Sequence, residues 1–189
     1  MKKTKLGIAA LLAMTGTLAQ ASVLDFSGTL SSDKDVAQIS FTALEDLSNV
    51  LLWTDSYSSG TNLDPVLTLW SQLGDDWQQV AYNDDNSSIA SGQTSWDSGL
   101  SLSSLSAGNY LLTLSAFPNF ANGNLLSQGY NYDSQTSTSW TLNGTPYWQA
   151  HISAEGAITA AVPEPETYAL GLLGLGALLL QRRRQKLAA

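Results

Sequence analysis

The sequence contains no cysteine. Disulfide staples, thiol nucleophiles and thiolate metal sites are therefore excluded, and any folded part must be held by packing alone. Histidine occurs once, at His151, so a zinc site built from several imidazoles is excluded as well. Basic residues are scarce and badly distributed. Lys2, Lys3 and Lys5 stand at one end, Arg182, Arg183, Arg184 and Lys186 at the other, and Lys34 alone lies between. Fourteen of the sixteen acidic residues fall in residues 22–161, which leaves that stretch at −13 against −8 for the whole chain. Such a surface repels phosphate backbones and anionic lipid, so nucleic acid is not expected as a partner. No phosphate loop, dinucleotide fingerprint, EF-hand or Gly-x-Ser-x-Gly elbow occurs.

Long apolar runs are also few. The first, residues 6–18, follows the three N-terminal lysines and is followed by Ala19-Gln20-Ala21. A charged start, an apolar centre and small residues at the −3 and −1 positions form a secretory signal peptide, with cleavage expected after Ala21. This implies the Sec export machinery and signal peptidase as partners. The second run, residues 168–180, precedes the three arginines and follows Val162-Pro163-Glu164-Pro165-Glu166. The two prolines disfavour helix and make a short stiff spacer. Positive residues stay on the cytoplasmic side, so everything upstream of the run is placed outside. Its thirteen residues fall short of the ~20 that cross a bilayer as a helix, so the run reads as a weak, temporary anchor. The alternative, a short core helix of a soluble domain, does not account for an arginine cluster directly behind it.

The middle stretch, about 140 residues, is the size of one domain. Rich in Ser, Thr, Asn and Gly, it carries its apolar residues in short runs at period two. The pattern predicts strands at 23–30, 36–42, 50–57, 66–71, 77–82, 99–105, 110–116, 138–142 and 147–153, separated by turn-forming clusters, with a long loop at 118–135 and no internal repeat. Many short strands without intervening helices predict an all-β, antiparallel β-sandwich. The organisation is then a signal peptide (1–21), an acidic β-sandwich domain (22–161) and a C-terminal signal with one hydrophobic helix (162–189).

Candidate ligand-binding residues are of two kinds. Asp64, directly before Pro65, can cap the start of a strand; together with Asn83, Asp84 and Asp85 it can instead supply oxygens to Ca²⁺, which takes 6–8 of them at ~2.3–2.6 Å. Asp75 and Asp76 fit a solvated hairpin tip. Of the aromatic residues, Trp53, Trp70 and Tyr110 sit within apolar runs and are expected in the core. Trp77, Trp96, Tyr130, Tyr132, Tyr147 and Trp148 have polar neighbours and are expected to be exposed. Exposed rings can stack on sugars, which makes Trp77, Trp96 and Trp148 candidate polysaccharide contacts. Catalysis is hard to assemble from this inventory. His151 lies on an alternating strand, where a surface or packed role is expected, and nothing shows which acids converge as a glycosidase pair would require. A non-enzymatic protein is expected, with a hydrolase as the weakest alternative.

The tail, with Pro163-Glu164-Pro165, the apolar segment and Arg182-Arg183-Arg184 in that order, resembles the PEP-CTERM sorting signal of bacterial surface and exopolysaccharide-associated proteins. The resemblance implies recognition and cutting by an exosortase-type membrane protease. The stretch from Trp53 through Asp64-Pro65 and Trp70 to Asn83-Asp84-Asp85, with Ala107-Gly108-Asn109-Tyr110, resembles the bacterial pre-peptidase C-terminal domain, and Asp33, Asp35 and Phe41 follow its early pattern. That resemblance, over residues 22–116, implies a jelly-roll-like sandwich used as an accessory or binding module, in some members calcium-binding. The chain departs from it in having no protease domain alongside.

Overall fold

The computed structural model describes residues 21–57, 63–135 and 146–160. The sorting-motif residues Pro163, Glu164 and Pro165, the segment 168–180, the arginines Arg182 to Arg184, Ala19, and the strand expected at 138–142 lie outside them. Among the described residues no helix is long and apolar enough to cross a membrane. Among the described residues there are nine strands, the first eight formed by the period-two stretches: β1 (Ala21–Thr29), β2 (Val36–Ala43), β3 (Leu47–Thr54), β4 (Pro65–Leu73), β5 (Asp76–Asn83), β6 (Gly99–Leu105), β7 (Gly108–Ala116), β8 (Tyr147–Glu155) and β9 (Ile158–Ala160). The last of these was not expected from sequence, since three residues are too few to show a period. It is held by pairing with β2, Phe41 opposite Ala160.

Every pairing is antiparallel. One sheet runs β1-β8-β3-β6 and the other β5-β4-β7-β2-β9. With β9 set aside, the orders 1-8-3-6 and 5-4-7-2 are those of a jelly roll, the β-sandwich expected. Between the sheets, Val50, Leu52, Ala150 and Ile152 of one face meet Leu67, Leu69, Leu112, Leu114 and Phe41 of the other, all within 1 % of full burial. Alternation along β8 is complete, with Trp148, Ala150, Ile152 and Ala154 inward and Tyr147, Gln149, His151, Ser153 and Glu155 outward. Trp148 is therefore core, not an exposed ring. It lies against Gly28, where an added Cβ would come within 2.7 Å of the indole.

In β4 and β7 alternation fails, because both faces are covered. The cover is the segment after β7, expected to be a loop and indeed without strands, but packed. A short 3₁₀ turn at Leu126–Gln128 and two isolated bridges, Gln78 to Leu125 and Ala121 to Tyr130, shape it. Its Tyr130 joins Trp70 and Leu111 in a second apolar cluster on the outer face of the five-stranded sheet, with Trp77 and Leu126 at its edge. Tyr130 is thus buried, contrary to its polar neighbours in sequence.

Candidate cation site and the His151 row

The hairpin of β4 and β5 builds the acidic cluster. Leu67 pairs with Asn83, so in an antiparallel ladder the residues just before β4 and just after β5 meet at the hairpin's open end. Asp64 is thereby brought to the adjacent pair Asp84 and Asp85, and the three place one carboxylate oxygen each within 4.8 Å of one another. Around them the backbone is tied down. The Phe117 N–H donates to the Asp64 carbonyl at 2.8 Å, and the Ser98 hydroxyl lies within reach of the carbonyls of Pro65, Asn83 and Asp84, of which its one proton can serve one at a time. Asp97, fully buried, accepts from the Thr54 and Thr94 hydroxyls and from the N–H groups of Thr94 and Tyr57.

Asn83 does not join the carboxylates through its side chain. Its amide oxygen accepts the Gly99 N–H at 2.8 Å and its amide nitrogen donates to the Asp85 carbonyl, so it clamps β5 to β6. The structure brings together three of the four expected ligands, and the fourth is a strut. Asp85 is exposed while Asp64 and Asp84 are partly buried, and a side-chain oxygen of each, Asp64 Oδ1 and Asp84 Oδ1, is buried without a hydrogen-bond partner. Burial, then the charges of Asp84, Asp85 and Asp97, push the Asp64 carboxyl up to about 7. Burial and Asp85 raise Asp84 too. Orphaned carboxylate oxygens packed at this distance lack positive charge, and a hard divalent cation would supply it. No histidine or cysteine stands in the set, which favours an oxygen-loving ion over zinc or copper. Asp76, the hairpin-tip residue, is instead engaged by Ser127, at 2.6 Å.

The expected sugar-stacking rings are scattered. Trp148 is buried and Trp77 is half-covered by the Trp70 cluster. Trp96 alone of the three is well exposed, at 47 %, stacked on Tyr57 with centroids 6.0 Å apart.

A feature that sequence reading missed surrounds His151. Register sets Asp25 of β1 and Trp53 of β3 directly opposite it on either side, so the three side chains form one row across the outer face. Nδ1 lies 2.7 Å from Asp25 Oδ1 and Nε2 3.1 Å from Asp55 Oδ1. The ring stacks on Trp53 at 4.9 Å between centroids, which places Trp53 on that outer face and not in the core. Burial works against the imidazolium, but the hydrogen bonds and charges of Asp25 and Asp55 outweigh it and raise its pKa. Both ring nitrogens are held by carboxylates, so neither faces a hydroxyl as the base of a Ser-His-Asp triad would.

The comparisons with known proteins bear first on the tail. Residues 161–185 match the PEP-CTERM protein-sorting motif. The class is thereby set: an exported β-sandwich protein with an exosortase sorting signal. No curated protein matches the chain. Among solved structures, the mitogen derived from Yersinia pseudotuberculosis is similar over 73 % of this chain and 88 % of its own, at 10 % identity and a TM-score of 0.36, too low to carry an argument.

Proposed function

We propose that this chain is a non-catalytic protein delivered by an exosortase-type system to the cell surface or exopolysaccharide matrix of a Gram-negative-type bacterium. The observation that carries the reading is the sorting motif at residues 161–185. The occupied nitrogens of His151 favour a non-catalytic role. Replacing Pro163, Glu164 and Pro165 with alanine is expected to leave the precursor in the membrane fraction of its native host. Fractionation and immunoblotting check this, and wild-type processing of the triple variant would refute the sorting role.

A second reading, a calcium-binding module, is favoured by the orphaned oxygens of Asp64 and Asp84 beside Asp85. Three carboxylates supply up to six oxygens, with backbone carbonyls and water to complete the shell. Millimolar calcium is expected to raise the melting temperature by several degrees, and Asp84→Asn to abolish the rise. Calorimetry with no binding heat and no thermal shift would sink this reading.

A further inference from the structure

Away from the carboxylates and the His151 row, the cover over the five-stranded sheet is incomplete. Next to the Trp70–Tyr130 cluster the segment 120–124 stands off the sheet over β4 and β5, leaving a cleft of about 240 Å³. Thr68 of β4 forms its floor, Gln79 and Tyr82 of β5 one wall, and Phe120, Asn122 and Asn124 of the cover the other. One bond pins the walls to each other, the Gln79 N–H donating to the Asn124 carbonyl at 2.9 Å, and the Asn122 amide braces the cover from within by donating to the Gln128 carbonyl. Tyr82, 59 % exposed, stands at the open mouth.

The lining is chemically specific. In a domain with fourteen acids, no residue of this cleft is charged. It offers two aromatic rings, three side-chain amides and the hydroxyls of Thr68 and Tyr82. Among the described residues the Gln79 and Asn124 amides bond no other protein group, so each has donors and an acceptor to spend on a ligand. An apolar ligand would strand those amides. A nucleotide or other phosphate would be repelled by the acidic domain. An uncharged sugar satisfies both halves of the lining, since its hydroxyls pair with amides while its C–H face lies on an aromatic ring. The volume is below the roughly 300–1,000 Å³ of sites that hold drug-sized ligands, which suits one ring of a chain passing through the open mouth.

We infer that the cleft between Tyr82 and Phe120 binds one uncharged saccharide unit. The inference deepens the exopolysaccharide reading above by naming a site and a ligand class, and it is tested on isolated protein, so it can fail or hold independently of where the host sorts the chain. The full chain, purified in a detergent without sugar headgroups, would be examined by saturation-transfer NMR with glucose, galactose, mannose, N-acetylglucosamine and glucuronate. At least one neutral sugar is expected to bind, with transfer strongest at its ring C–H protons and glucuronate much weaker. Tyr82→Ala should lower affinity by about tenfold, the weight of one stacked ring, and the exposed position of Tyr82 leaves folding intact. Gln79→Ala serves as a second variant and should also weaken binding, while Trp96→Ala should not. Absence of binding by every neutral sugar, undiminished binding by Tyr82→Ala, loss of binding in Trp96→Ala, or glucuronate binding as tightly as glucose would each overturn the inference.

Discussion

Among single residues, His151 couples charge to the four-stranded sheet, because its ring spans from Asp25 on the edge strand β1 to Asp55 just beyond β3. A neutral imidazole donates from one nitrogen only, so the protonated ring alone can satisfy both carboxylates. Its folded-state pKa is raised. The contribution is therefore complete below the unfolded value of about 6.5 and is lost as pH rises through the higher folded value. Replacing His151 with Gln is expected to cost about 1–2 kcal/mol at pH 6, a range held down by the exposure of Asp25. The cost should shrink above pH 8. Urea titrations at the two pH values measure it, and an equal loss at both would mean that the ring acts by packing on Trp53 alone. Neither carboxylate was legible beforehand: Asp25 and Asp55 lie 126 and 96 positions from His151, and only register brings them to it.

At the level of elements, the cover segment shows how a stretch without periodicity can be structural. Thr113, in the middle of β7, accepts the Trp70 indole N–H at 2.9 Å and the Tyr130 hydroxyl at 2.7 Å, while its own hydroxyl reaches the Thr68 carbonyl. One buried oxygen thus ties β4, β7 and the cover together, and burial pushes the Tyr130 phenol up to about 12. Thr113→Val strands two donors and is expected to cost about 2–4 kcal/mol, whereas Tyr130→Phe removes one donor cleanly and should cost about 1 kcal/mol. Denaturant unfolding of the two variants decides the order, and equal losses would show that the hydroxyl hub does not hold the cover. The strands themselves were legible because alternation reports a half-buried surface. The exceptions have physical causes. Polar neighbours misplaced Trp148 and Tyr130, since a side chain's fate depends on which face its strand presents and on what lies across from it. Asn49, left-handed at φ 49° where the β3–β8 register shifts, marks a bulge that composition does not announce.

Across the whole molecule, acidity and the carboxylate cluster act together. Asp64 titrates at about 7 in the fold against about 3.9 in an unfolded chain. A raised folded value contributes stability that is complete below about pH 4 and is lost as pH climbs through 7. Without divalent cations, the melting temperature is therefore expected to fall between pH 5 and pH 8, and calcium should restore most of the loss at pH 8 while doing little at pH 5. A calcium effect independent of pH would place the ion away from Asp64. The sorting signal is written in linear order, as a Pro-Glu-Pro spacer, an apolar run and arginines that match a known sorting motif and need no fold to be read. The all-β class was equally available, because period-two patterning is local. What only the tertiary structure decided is which distant groups meet. Antiparallel register brought Asp64 to Asp84 and Asp85, a set the sequence had suggested, but turned Asn83 into a strut; strand order set His151 between two carboxylates and the incomplete cover opened an uncharged cleft, contacts that separation along the chain hides.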